Sequence, residues 1–144
     1  MYPAIGDEVR FGKTVGETDI YLFAGITGDF SVNHVNEERM RQSSFGQRIA
    51  HGALLVGYMS TTSTMMIEKC VRDGDRVTPV SLGYDRVRFV APVFIGDTIS
   101  VSYQISEVDE ERRRSIADIN VSKQTGETVA VARHILKWVE NPGG

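Results

Sequence analysis

Between Gly52 and Ile67 the chain runs sixteen residues without a charged side chain. The stretch holds Leu54, Leu55, Val56, Tyr58, Met59, Met65 and Met66, and the first charge after it is Glu68. Read as a helix from His51 to Lys69, it places apolar side chains on more than one face. A helix on a protein surface shows a charged outer stripe, whereas one that is neutral all round has to be covered on most sides. Ser60, Thr61, Thr62, Ser63 and Thr64 sit inside the stretch, which is also too short and polar for a membrane span. Ala53, Gly57 and Ser60 are small enough to let a sheet approach closely.

The covering sheet is legible downstream. After residue 78 the hydrophobic period becomes two: Val80, Leu82 and Tyr84 alternate, as do Val87 and Phe89. Ile99, Val101, Tyr103 and Ile105 alternate with Ser100, Ser102 and Gln104, and Ala117, Ile119 and Val121 with Asp118, Asn120 and Ser122. Thr128 to Val139 makes a last long strand. Gly96-Asp97, Asp109–Arg112 and Thr125-Gly126-Glu127 supply turns, and Ala91-Pro92-Val93 interrupts pairing. Upstream, Val9 to Val15 reads as a short strand. Thr18 reads as the N-cap of a helix to about Ile26 that buries Ile20, Phe23, Ala24 and Thr27, and Gly28 ends it. Asp29 to Asn36 is a loop or single turn, and Glu37 to Gln42 a short charged helix. The order is α+β, one long helix wrapped by a curved antiparallel sheet, which is the hot-dog arrangement.

At 144 residues the chain is expected to be one domain over 1–144, with a loose tail from about 140. A net charge of −3 and a pI near 5.6 argue against nucleic-acid binding. The one basic run, Arg112-Arg113-Arg114, follows Asp109, Glu110 and Glu111 and reads as a solvated hairpin tip. Cys70 is alone, so no intrachain disulfide forms. With no charged-then-apolar leader pattern at the start, a cytoplasmic location without membrane contact is expected.

The chemistry gathers in two pieces. Gly28-Asp29-Phe30-Ser31-Val32-Asn33-His34 brings a carboxylate and an imidazole close in a segment that is poor helix and poor strand. Such a pair can share one water molecule and move its protons. Ile49-Ala50-His51-Gly52 then places a glycine where the uncharged helix begins, and free backbone N–H groups there can hold a developing oxyanion. His51 reads as a structural partner of the Asp29 loop. Ser60 is a pocket contact or a small packing residue; Met59, Met65 and Met66 are core or acyl-pocket lining.

These residues resemble the MaoC-like family, which contains the (R)-specific enoyl-CoA hydratases. The resemblance rests on Gly28-Asp29 with His34, on Phe45-Gly46, on Ile49-Ala50-His51-Gly52-Ala53-Leu54 and on Val87-Arg88-Phe89-Val90-Ala91-Pro92-Val93-Phe94-Ile95-Gly96-Asp97, across roughly residues 8 to 138. It implies a hot-dog fold, usually dimeric (a homodimer or a dimer of dimers), with two sheets joined edge to edge. It implies reversible hydration of a trans-2-enoyl-CoA to a 3-hydroxyacyl-CoA. Asp29 and His34 then match the catalytic pair, and Gly52 the glycine whose N–H meets the thioester oxygen. Ser60 matches a serine lining the same pocket in some members. No cofactor or metal is implied beyond coenzyme A as part of the substrate. One departure stands out: Ser31 and Val32 occupy places where the family pattern usually has Asn-Pro. A hot-dog acyl-CoA thioesterase and a non-catalytic acyl-CoA-binding or regulatory protein are the alternatives.

Overall fold

A computed structural model of the chain describes residues 2–143. Strand β1 (Glu8–Thr14) leads into three helices: α1 (Glu17–Thr27), α2 (Val32–Val35) and α3 (Glu37–Arg41). The charge-free stretch is α4 (Gly52–Cys70), the longest helix at 19 residues. Four strands follow: β2 (Val77–Phe89), β3 (Thr98–Asp109), β4 (Arg114–Lys123) and β5 (Thr128–Glu140). All five strands form one antiparallel sheet in the order β1-β3-β4-β5-β2. With α4 at its centre this is the α+β hot-dog fold.

The core lies between α4 and the sheet. Leu55, Met59, Thr62, Ser63 and Met66 recur every three to four residues and form the buried stripe of α4. They meet Ile99, Val101, Tyr103 and Ile105 from β3, Ala117, Ile119 and Val121 from β4, and Ala130 and Ala132 from β5. Period-two alternation therefore did mark the inner sheet face. The hydroxyls of Thr62 and Ser63 donate to Met59 O and Ser60 O in the preceding turn, so these two residues lie inside without an unpaired donor.

Several local expectations are corrected. Ala53, Gly57, Ser60 and Thr64 face away from the sheet and are exposed in the single chain. The small stripe thus marks an uncovered side of α4, not the side the sheet approaches. The N-cap of helix α1 is Gly16, two residues before Thr18, and the Asp19 carboxylate accepts from Gly16 N–H at 2.8 Å. A side chain three residues into the helix replaces the cap that glycine cannot supply. Thr27 is exposed, with its hydroxyl on Phe23 O. Gly28 does end the helix, at φ 81°. The tail begins later than 140: Glu140 belongs to β5, and Asn141 bonds Arg76 O and the Thr78 hydroxyl.

Edge strand β2 shows the least regular alternation. Its register with β5 shifts after Ser81 and after Asp85, and Arg86 takes φ 52° in the second irregularity. Val80, Leu82 and Phe89 are exposed along it. The opposite edge, β1, is half as long and carries Glu8, Arg10 and Lys13.

His134 is fully buried on β5. One ring nitrogen meets Ser81 Oγ at 2.7 Å and the other Tyr103 Oη at 2.8 Å, with the Tyr84 ring beside it. Burial pushes its pKa down to about 4. The ordinary value is about 6.5, so between these pH values the unfolded chain binds a proton that the folded chain refuses. Stability from this group is complete above about pH 6.5 and declines toward pH 4, by at most about 3 kcal/mol. Thermal unfolding followed from pH 7 to pH 4.5 should show a steeper fall in Tm for the wild type than for His134→Gln. Parallel profiles would mean that His134 does not couple folding to protons.

Candidate active site

Gly28 turns the chain out of α1, and the Asp29 carboxylate folds back to accept from Ser31 N–H. Ser31 then caps α2, its hydroxyl accepting from Asn33 N–H. A serine cap thus starts the single turn that carries His34. Asn36 caps α3 in the same way through Arg39 N–H.

The segment before α4 fixes the other half of the site. Ile49 pairs with Phe94, and Ala50 N–H donates to Val93 O at 2.7 Å. Ile49 also holds the His34 turn through both of its polar groups: its N–H donates to Asn33 O at 3.0 Å, and its carbonyl accepts from His34 Nδ1 at 2.7 Å. A carbonyl can only accept, so Nδ1 carries the ring proton and Nε2 of a neutral His34 keeps its lone pair. His51 donates from Nε2 to the backbone carbonyl of Asp29 at 3.0 Å, as the sequence reading had it. Its ring stacks on His34 at 3.7 Å between centroids and packs against Phe23.

Asp29, His34 and His51 thus converge: a carboxylate oxygen and one ring nitrogen from each histidine lie within 4.8 Å of one another. A water with two hydrogen bonds of ordinary length spans about 4.5–5 Å, close to the upper limit of the separation between Asp29 and His34. Stacked rings present their in-plane lone pairs side by side instead of toward one point. That suits proton traffic better than metal ligation.

A cavity of about 400 Å³ opens against this cluster, lined by His34, Phe45, Gly52, Leu55, Phe89 and Val93 among others. Its size and apolar walls suit a small acyl group. Gly52 is the first residue of α4, so its N–H has no acceptor inside the helix, and the His51 side chain does not cap it. The sequence explains this glycine only by access for a substrate oxygen. The structure adds a neighbour: a Cβ at residue 52 would lie 2.6 Å from the Phe89 ring. Ser60 sits two turns along α4, exposed and next to the Tyr84 phenol, and does not line this cavity. A larger depression of about 620 Å³ lies on the outer sheet face near Asp118 and Arg133, but those two charges pair with each other at 3.0 Å.

Two residues escaped sequence reading. Nothing in the alternating stretch or the resemblance gives Phe89 a place in the site. Arg48 has no sequence signal of its own, yet it is buried and joined to Glu17, Tyr21 and Glu37.

The MaoC like domain family matches residues 2–130. An (R)-specific enoyl-CoA hydratase of Rhodospirillum rubrum is 34% identical over 110 residues, covering 75% of this chain and 69% of that protein. A 3-hydroxybutyryl-CoA dehydratase of Methylorubrum extorquens is 33% identical, covering 72% and 60%. Among solved structures, an (R)-hydratase from A. caviae superposes with a TM-score of 0.82 at 21% identity, covering 97% of this chain and 98% of that one.

Packing of Phe89 on Gly52 has a measurable consequence. Gly52→Ala should lower Tm, because overpacking typically costs about 1–3 kcal/mol. In a Phe89→Ala background the same substitution should leave Tm unchanged or raise it, since alanine is the better helix former. An equal loss in both backgrounds would separate the glycine from Phe89.

Proposed function

The chain belongs to the MaoC-like family, and from that premise we propose that it reversibly hydrates trans-2-enoyl-CoA thioesters to 3-hydroxyacyl-CoA at the Asp29–His34 pair. Two of the relatives it matches are by name a hydratase and a dehydratase, both hydro-lyases, and it is an enzyme of that class. The observation that carries the finer reading is the convergence of Asp29 with His34, which lines an apolar cavity together with Gly52, the first residue of α4.

Water is a poor nucleophile, and C3 of an enoyl thioester is only mildly electrophilic. In the proposed reaction Asp29 holds the water and His34 Nε2 takes one of its protons as the oxygen bonds to C3. Negative charge moves to the thioester oxygen, where the Gly52 N–H meets it. The Nε2 proton then passes to C2, which restores neutral His34. Both additions come from one side, so the addition is syn. An acid–base group typically supplies ~10²–10⁴-fold and an oxyanion donor ~10²–10³-fold. The reaction asks for no cofactor beyond the coenzyme A of the substrate.

A thioesterase would use the same cavity but direct water at the carbonyl carbon. A binding protein would use it without turnover. Absorbance of the conjugated enoyl thioester separates the three: hydration removes conjugation without releasing thiol, thioester cleavage releases thiol, and binding does neither. Asp29→Asn and His34→Ala should each lower kcat on the best enoyl-CoA by ~10²-fold or more, with smaller changes in KM. Activity of either folded variant within threefold of wild type would overturn the assignment.

The proposal includes a homodimer, or a dimer of dimers, in the cytoplasm. Hydratases of this fold are commonly oligomeric. Edge strand β2 is long and carries exposed Val80, Leu82 and Phe89, a pattern that a second copy would cover. No helix among the described residues is long and apolar enough to cross a membrane. Light scattering at micromolar protein should give twice the 16.0 kDa chain mass, or four times for a dimer of dimers, and a constant single-chain mass on dilution would contradict pairing.

A further inference from the structure

Arg48 is 8% exposed, and its guanidinium is shared among three side chains. Nε donates to Glu37 Oε2 at 2.8 Å, Nη1 to Tyr21 Oη at 2.8 Å and Nη2 to Glu17 Oε1 at 2.7 Å. Tyr21 in turn donates to Glu17 Oε1 at 2.9 Å. Glu17 and Tyr21 lie on successive turns of α1, and Glu37 opens α3. One planar fork therefore joins both helices that flank the Asp29–His34 segment. The next residue is Ile49, whose N–H and carbonyl hold Asn33 and His34.

We propose that Arg48 is a positioning residue for His34: by anchoring α1 and α3 to residue 48 it fixes the Ile49 carbonyl that holds the His34 proton on Nδ1. This rests on the reading of His34 as the proton-transferring group. Without the fork, α1 and α3 remain attached to the chain, but the distance from the His34 turn to Ile49 is no longer set from both sides. The ring then loses its single acceptor for Nδ1–H, and the tautomer with its lone pair on Nδ1 becomes populated. That form presents an N–H, not a lone pair, at Nε2.

The core between α4 and the sheet does not contain Arg48. Glu17 and Glu37 are 51% and 37% exposed at their side chains, so water can take up both carboxylates when the arginine is removed. A folded Arg48→Met variant, which keeps the stem, is therefore expected. Lysine has one nitrogen and cannot span Glu17, Tyr21 and Glu37 together, so Arg48→Lys should be intermediate.

The test reads His34 directly. Protein labelled with ¹⁵N in its histidine rings should show His34 as the Nδ1–H form at neutral pH in the wild type and as an exchanging mixture of tautomers in Arg48→Met. With crotonyl-CoA, kcat of Arg48→Met should fall ~10-fold or more while KM stays within threefold, the pattern of a misplaced catalytic group. A folded Arg48→Met with an unchanged His34 spectrum overturns the proposal, whether or not kcat falls. Should that variant fail to fold, Glu37→Gln weakens the same fork from its exposed side. It should move the His34 spectrum in the same direction by a smaller amount, and no movement would overturn the proposal. The nitrogen spectra report the Arg48–His34 link independently of turnover, so a wild type inactive on enoyl-CoA would count against the hydratase reading alone.

Discussion

The site depends on three residues of nearly extended chain, Ile49 to His51, that tie the start of α4 to two other parts of the molecule. On one side Ile49 and Ala50 bond to Phe94 and Val93, just beyond the end of β2. On the other, Ile49 holds the turn of His34 and His51 holds the carbonyl of Asp29. Each link is an ordinary hydrogen bond with a net worth of about 1 kcal/mol. Their effect is geometric: Asp29 and His34, the first N–H groups of α4 and the apolar wall at Val90–Val93 are set against one another by the same few peptide groups.

This arrangement divides the work between two regions. The α4–sheet core supplies rigidity, and the short helices α2, which carries His34, and α3 have little core of their own. Among α2 and α3 only Met40 is buried. Segments so poorly buried are ordinarily the first to open locally. The Arg48 fork bonds to α3 and the Ile49 clamp to α2, which places a buried arginine beside the Asp29–His34 loop. Phe89 closes the arrangement from the β2 end by lying on Gly52, so the glycine serves packing as well as access to its N–H.

The sequence shows most of this fold because its signals are local. The missing charges between Gly52 and Ile67 identify the central helix, and strict alternation in 99–105 and 117–121 identifies the inner sheet face. The meeting of Asp29 with His34 is also legible, since it follows from a spacing of five residues in one loop. What stays hidden depends on partners far away in the chain. Arg48 finds Glu17 across 31 residues, and Phe89 reaches Gly52 of α4 from the end of β2. The small stripe Ala53, Gly57 and Ser60 is visible as a pattern, but smallness fits a close approach by the sheet and an open face equally. Gly16 escaped as a cap because the capping oxygen belongs to Asp19, three residues later.

Hydration of crotonyl-CoA in deuterium oxide tests the shared water most directly. If Asp29 and His34 hold one water and return its proton from the same side, the hydroxyl at C3 and the deuterium at C2 arrive on one face. NMR of the product should then show a single diastereomer, that of syn addition. A mixture of diastereomers, the anti product, or free coenzyme A without a new C3–oxygen bond would contradict it.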